Sequence, residues 1–217
     1  MKIGLIGYGK MGRAVEELAH ERGHIPVIGR KEPVDCVIDF SSPTSVVETA
    51  KQLSGKGIPW VLGTTGWNQE EVLSLAKKGE IPLLYASNFL LGMALFRRLA
   101  KAAAILFSNG FEKKGIEIHH KEKKDTPSGS ACRLMEEIPG LEFTSIRAEG
   151  QVGTHELIFS SNEETIELTH RAKSRRGFAE GAVIAAEYLL GKTGIYTFDD
   201  VIEEQLGWNS MATSPLL

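Results

Sequence analysis

Cysteine is scarce in this chain: Cys36, inside the apolar run VDCVIDF, and Cys132, in a helical pattern, are the only two in 217 residues. Their spacing builds neither a zinc-ligand pair nor a stapled secreted fold, so a reducing compartment is expected. Long apolar runs are also missing, and no window approaches the roughly 20 residues a membrane-spanning helix needs. The opening stretch MKIGLIGYGK enters a strand-like pattern broken by glycines at once, which leaves no room for the apolar core of a secretory signal. The cytoplasm is therefore the expected location. Neither sign of charge dominates, with 25 Lys+Arg against 28 Asp+Glu, so nothing in the balance attracts nucleic acid or a membrane surface. Small-molecule partners are expected instead.

What is present is an ordinary globular composition, 42% apolar, in a chain long enough for one large domain or two small ones. Through about residue 88, short β-branched runs alternate with helical patterns: KIGLIGY, MGRAVEELAHERGH, IPVIGR, VDCVIDFS, SVVETAKQLSGKG, PWVLGTT, QEEVLSLAKKG and IPLLYAS. That alternation predicts an α/β Rossmann-type parallel sheet with crossover helices. The runs VDCVIDF and IPLLY are apolar nearly throughout, as strands covered on both faces must be. Beyond Asn88 the rhythm changes to a long helical run, LLGMALFRRLAKAAAILF, then GIEIHH, a Pro-Ser-Gly-Ser turn, and three strand-like runs in succession, LEFTSIRA, HELIFSS and ETIELTHRA. This predicts a second, α+β domain over residues 89–176 with an open mixed or largely antiparallel sheet, residues 177–217 packing back on the first domain. There is no internal repeat and no low-complexity linker.

Gly7, Gly9 and Gly12 form G-x-G-x-x-G between a predicted strand and a predicted helix, the arrangement that admits a pyrophosphate to a helix N-terminus. In isolation the motif is weak, since glycines are frequent here; its strand–turn–helix context gives it weight. An NAD site usually carries an acid about 20 residues further on, at the end of the second strand, to bind the ribose. Here that strand ends Gly29-Arg30-Lys31, so Arg30 and Lys31 are the candidates for a 2′-phosphate, with Glu32 close enough in register to compete for the ribose. The later strands end in Asp39-Phe40-Ser41, Gly63-Thr64-Thr65-Gly66 and Ala86-Ser87-Asn88-Phe89, and ligands of such sheets bind beyond these carboxyl ends. The Gly-Thr-Thr-Gly stretch reads equally well as a helix-capping turn.

The segment IHHKEKKDTPSGSA, residues 118–131, gathers two histidines and three lysines ahead of a turn. A solvated loop is the ordinary reading of such a charge run. A pair of histidines alone more often means one buried ring and one exposed ring than catalysis. Neighbours in an extended strand point to opposite faces, so His119 and His120 can share a pocket only if the strand ends there. For the same reason, and with no third ligand at a sensible spacing, no metal site is expected.

The chain nevertheless resembles the dihydrodipicolinate reductase family over nearly its whole length. The family's HH-x-x-K-x-D-A-P-S-G-T-A is matched from His119 to Ala131, with Thr126 in place of Ala and Ser130 in place of Thr. IDFS, GTTG, SNF followed by Gly92, R-x-x-x-x-V-G-x-H from Arg147 to His155, and HRAKSRRGFAEGA from His170 match in order. The glycine motif is one residue tighter than the family's G-x-x-G-x-M-G but keeps Met11 and Gly12. The resemblance implies hydride transfer from NADPH or NADH to a cyclic imine dicarboxylate, giving tetrahydrodipicolinate, in diaminopimelate and lysine biosynthesis. It also implies a homotetramer built through the second domains.

Within that resemblance, His119 is the expected proton donor, Lys123 assists it and holds the substrate, and His120, Ser128, Gly129, Ser130 and, less directly, Arg175 bind the substrate. Gly7, Tyr8, Gly9, Lys10, Met11, Gly12, Arg30, Lys31, Phe40, Gly63, Thr64, Thr65, Ala86, Ser87, Asn88 and Phe89 are expected around the nucleotide. The chemistry agrees: a dianion needs fixed positive charge and oriented N–H donors, and an imidazole is suited to donate a proton near neutrality. Lys121 and Lys124 read as solvated charges, and His155 and His170 as structural. The alternatives are a dehydrogenase for another small dicarboxylate or amino acid, and a dinucleotide-sensing module without turnover. Retention of His119, Lys123 and the Ser-Gly turn speaks against the sensor.

Overall fold

The computed structural model describes residues 1–29 and 33–206. In chain order its elements are β1 (Lys2–Ile6), α1 (Lys10–Glu21), β2 (Ile25–Ile28), β3 (Cys36–Asp39), α2 (Pro43–Leu53), β4 (Trp60–Leu62), α3 (Gln69–Lys78), β5 (Leu83–Tyr85), α4 (Leu91–Leu106), β6 (Glu112–His119), α5 (Gly129–Glu137), β7 (Glu142–Arg147), β8 (Gly153–Ser160), β9 (Thr165–Ala172), α6 (Arg176–Leu189), β10 (Ile195–Thr197) and α7 (Phe198–Leu206). The chain divides into two compact units, one holding residues 1–91 and the segment from Arg176 onward, the other Gly92–Arg175.

In the first unit the described strands form a sheet in the order β10-β5-β4-β3-β1-β2, every pair parallel. β1 lies between β2 and β3, so the chain leaves β1 in one direction and returns on the other side, creating the switch point at which such sheets bind ligands. One face is closed by α2 and α3, where Val46, Ala50, Leu53, Val72 and Ala76 pack on Val37, Trp60, Leu62 and Leu83. α6 packs against α1 and against β3, β4 and β5. Its buried positions are almost all small, Ala179, Gly181, Ala182, Ala185 and Ala186, which lets the helix approach closely. The segment IYTFDDVIEEQLG does more than cover the domain: Ile195–Thr197 joins the sheet as an edge strand beside β5, a role its three residues do not announce.

The second unit carries the sheet β7-β6-β8-β9. β6 pairs antiparallel with β8, and β8 with β9, but β6 and β7 run parallel because α5 carries the chain back between them. The sheet is therefore mixed. Register sets which side chains share a face. Glu117 lies opposite His155 on β8 and Ser145 on β7, and His155 lies opposite His170 on β9, so one face of the sheet collects Glu117, His155, Ser145 and His170. With a side-chain period of two, His119 and Arg147 join the same face.

Candidate active site

The carboxyl ends of β1, β3, β4 and β5 lie side by side. Phe40 N–H donates to the carbonyl of Ile6 at 2.8 Å, Gly63 N–H to that of Asp39 at 2.9 Å, and Ala86 N–H to that of Leu62 at 3.2 Å, so Gly7, Phe40, Gly63 and Ala86 stand in a row beyond the sheet. Gly7 turns the chain with φ +83°, a conformation costly for any side chain. A Cβ on Gly12 would lie 2.3 Å from the carbonyl oxygen of Gly7, so only glycine lets the helix start pack under the turn. Gly9 differs: it is the N-cap of α1 with φ −91°, and a Cβ there would meet nothing within 4 Å.

Helix N-termini in this unit divide into two kinds. α2 is closed by a capping box from Ser42 and Ser45, and α3 by the Asn68 side chain with Glu70 and Glu71 in its first turn. α1 has no side-chain cap and no acid in its first turn. Its first N–H groups, which no helix can satisfy internally, point at the glycine turn. This cradle fits the pyrophosphate of a dinucleotide, and Gly9 faces open space beside it. Two neighbouring turns are tied together by buried Asp39, whose Oδ1 accepts from Ser41 N–H at 2.9 Å, Ser41 Oγ at 2.5 Å and Thr64 Oγ1 at 3.3 Å. The Phe40 ring meets Phe89 edge-on at 6.1 Å.

In the second unit, Glu117 is fully buried and accepts hydrogen bonds from Ser128 N–H (3.0 Å) and Ser145 Oγ (2.7 Å), with Arg147 Nη2 at 3.4 Å. Burial by itself would raise its pKa, but the hydrogen bonds from Ser128 and Ser145 outweigh that and hold it below the ordinary value. His119 Nδ1 stands 3.5 Å and His155 Nε2 3.7 Å from the same carboxylate oxygen, and the two rings meet edge-on at 5.1 Å. Burial pushes His119 down to about 4, against the attraction of Glu117 and with the help of Lys123 and Arg147. His155, deeper still, is pushed down to about 3 by burial and then by His119.

These groups bring a carboxylate and two imidazoles within 4.8 Å of one another, a grouping that includes His119 but not His120. Arg147 supplies the site's positive charge, and a metal ion at Glu117 would have to share the carboxylate with the guanidinium.

β6 ends at His119, and the chain turns at His120, whose carbonyl accepts from Lys123 N–H at 3.1 Å. The strand end removes the facing conflict between the two histidines. Lys123 Nζ pairs with the Asp125 carboxylate at 2.8 Å. Arg147 Nη2 holds the carbonyl of Asp125 at 2.6 Å and Thr126 Oγ1 at 2.8 Å, fastening the loop to β7. Thr126–Pro127 is a cis peptide. Ser128 then caps α5, its Oγ accepting from Ala131 N–H at 3.2 Å and meeting His155 Nε2 at 3.1 Å. The Ser128 amide and hydroxyl are thus engaged inside the protein, and Gly129 and Ser130 open the first turn of α5.

His119, Lys123, Ser128, Gly129 and Ser130 therefore lie along one strand end, one loop and one helix start, with half-buried His120 between them. Lys121 and Lys124 are exposed, as expected of solvated charges. Arg175 sits half-buried in the connection from β9 to α6. His170 stacks on Phe96 at 5.8 Å, a packing role. Among the nucleotide candidates, Tyr8, Gly9, Lys10, Thr65 and Ser87 are exposed at the turns and Met11 is half-buried. Thr64 is buried against Asp39, Asn88 accepts from Leu90 N–H at 2.8 Å, and the Phe89 ring is 2% exposed within the core. Arg30 and Lys31 lie outside the described residues. The sequence reading passed over Glu117, Ser145 and Arg147 and gave His155 a structural role. Glu117 was within reach, since it stands two residues before His119 and shares its face of a strand.

Residues 27–89 match the family described as "Dihydrodipicolinate reductase, N-terminus" and residues 92–202 that described as "Dihydrodipicolinate reductase, C-terminus". The chain is 36% identical to the 4-hydroxy-tetrahydrodipicolinate reductase of Christiangramia forsetii, covering 94% of this chain and 98% of that one. It is 34% identical to the enzyme of the same name from Thermosipho africanus, covering 94% and 99%. A solved dihydrodipicolinate reductase from Paenisporosarcina sp. TG-14, with dipicolinate bound, shares the fold at TM-score 0.74 and 20% identity, over 91% of this chain and 97% of that one. With both parts of the family matched in order, and relatives aligned almost end to end, the chain belongs to the dihydrodipicolinate reductase family, oxidoreductases of diaminopimelate and lysine biosynthesis.

Proposed function

We propose that this chain reduces 4-hydroxy-tetrahydrodipicolinate, or the dihydrodipicolinate left by its loss of water, to tetrahydrodipicolinate, using NADPH at least as well as NADH. The observation that carries the reading is the convergence of His119, Lys123 and the N-terminus of α5 on one end of the second sheet. The turns around Gly7 to Gly12, Phe40, Gly63 to Thr65 and Ala86 to Asn88 hold the nucleotide, its pyrophosphate on the α1 N-terminus; buried Phe89 shapes this region from beneath. A reduced nicotinamide, when bound, supplies the hydride. Arg30 and Lys31 favour the 2′-phosphate, a reading that rests on the sequence.

The chain's own groups do the rest. The amides opening α5 and the ammonium of Lys123 take a substrate carboxylate, with His120 and Arg175 as further contacts. Lys123 Nζ pairs with Asp125, so a substrate carboxylate that takes Lys123 exchanges for Asp125. Burial, opposed by Glu117 and helped by Lys123 and Arg147, holds the His119 pKa down at about 4. A dianion arriving next to the ring favours the imidazolium, so the donor becomes charged when there is something to protonate. The proton it delivers completes the reduction begun by the hydride, and solvent restores it. The outer face of the second sheet, with Ile116, Ile118 and Ile158 half-buried and Ile146 42% exposed, supports a homotetramer in which a second copy covers it.

The test is oxidation of NADPH and NADH followed by absorbance, with substrate generated in place by the preceding synthase. Substrate-dependent oxidation with NADPH at least as fast as with NADH is expected. Silence with both nucleotides overturns the reading.

A further inference from the structure

Among the described residues two carboxylates are wholly buried, Asp39 in the first unit and Glu117 in the second. Glu117 lies at the centre of the second sheet's inner face, and three different elements converge on it. The backbone of Ser128, which caps α5, donates to both its oxygens at 3.0 and 3.1 Å. Ser145 and Arg147 reach it from β7. His119, two residues along its own strand, and His155 from β8 flank it. A buried carboxylate with this many donors is fixed in place, and so is whatever depends on it.

His119 Nδ1 is buried with no hydrogen-bond partner, and the Glu117 Oε2 atom 3.5 Å away is an acceptor facing it. The other ring nitrogen points toward Gly153, where a Cβ would come within 3.0 Å of Nε2. Gly153 follows in register directly across from His119, so the sheet leaves room for the ring at the one position where a side chain would push it aside.

We propose that Glu117 is a positioning residue that holds the His119 proton on Nδ1, aims Nε2 past Gly153 as the proton-donating nitrogen, and with its other bonds anchors the first turn of α5. One side chain then sets the distance between the proton donor and the carboxylate cradle. The inference rests on the proposed reductase reading for its kinetic part, but the tautomer it assigns is a property of the free protein. The charges around His119 are Glu117 on its own strand, Lys123 and Asp125 from the loop and Arg147 from β7, with the His155 imidazole facing it from β8. Of the two negative groups, Glu117 is the stronger influence, and its removal lowers the readiness of His119 to take up a proton.

The test uses Glu117→Gln, which keeps an acceptor oxygen for Ser128 and Ser145 and removes the charge. Imidazole nitrogen NMR of the free wild-type protein should show His119 as the Nδ1–H tautomer, and Glu117→Gln should shift it toward Nε2–H. In turnover, the variant's kcat should fall about tenfold to a hundredfold near neutral pH, within the range for a displaced general acid. The loss of kcat at high pH should begin at lower pH than in wild type. NADPH affinity should be unchanged, because the nucleotide is held by the first unit, and an unchanged strand signal in circular dichroism reports an intact second sheet. A residue with a purely structural role predicts a Gln variant with wild-type kcat, pH profile and tautomer, and that result overturns the proposal. A wild-type protein that shows the Nδ1–H tautomer but no turnover would instead overturn the reductase reading and leave the positioning intact. Should the Gln variant lose NADPH binding as well, the wild-type spectrum alone decides: His119 found as the Nε2–H tautomer overturns the proposal.

Discussion

Two alanine substitutions in the glycine turn should have opposite effects on stability and on nucleotide binding. At Gly12 a Cβ would sit 2.3 Å from the Gly7 carbonyl oxygen and 3.2 Å from its carbon, both backbone atoms held by the turn. Overpacking of this kind costs about 1–3 kcal/mol. For a chain of this size each kcal/mol is worth roughly 2–4 °C in Tm, so Gly12→Ala should melt several degrees early. At Gly9 the backbone is already in a region alanine adopts, and the Cβ meets nothing within 4 Å. Loss of unfolded-chain freedom favours the variant by about 0.4–1 kcal/mol, and alanine's poorer N-capping opposes it by a similar amount. Gly9→Ala should therefore melt within about 2 °C of wild type. Its methyl group, however, would stand in the space where a pyrophosphate meets the α1 amides. NADPH affinity should fall at least tenfold, about 1.4 kcal/mol. Thermal unfolding with and without NADPH, paired with a fluorescence titration, separates the two effects. Gly9→Ala binding NADPH as tightly as wild type would refute the reasoning, because the open space at Gly9 would then serve no ligand.

The histidine–lysine segment makes a kinetic prediction: His119→Ala should lower kcat by about a hundredfold to ten-thousandfold with little change in KM, and Lys123→Ala should damage both, while Lys121→Ala and Lys124→Ala stay near wild type. NADPH binding should survive all four; lysine controls as damaging as Lys123→Ala would return the segment to a solvated loop. Acid should destabilise the fold early. His119 and His155 titrate near 6.5 when unfolded but at about 4 and about 3 when folded, so the unfolded state holds more protons and stability falls as pH drops below about 6.5. The depressed Glu117 and Asp125 add further loss below the ordinary carboxylate range, where their folded-state hydrogen bonds and ion pairs disappear. Denaturant titrations across this range should show the slope, and His155→Phe, which cannot titrate, should flatten it; an unchanged slope would mean that His155 is not the buried neutral ring described.

How much of this could be read along the chain depends on the range of the interactions involved. Helices, strands and the glycine turn follow from periodicity and from residues a few places apart, which is why β1 and the start of α1 are legible in KIGLIGYGKMG and the capped start of α5 in DTPSGSA. The family resemblance singles out His119 and Lys123 because their motif is contiguous. Pairing between distant strands is not legible in this way. Nothing local to IYT marks it as the edge of a sheet begun nearly two hundred residues earlier, and nothing local to LEFTSIRA says that it runs parallel to β6. The Glu117 cluster is the clearest case. Its members come from β6, the α5 cap, β7 and β8, and each alone reads as an ordinary strand or turn residue. Register placed them on one face, and burial there turned a carboxylate, a guanidinium and two imidazoles into a single electrostatic unit, since charges that water would screen apart interact strongly once it is excluded.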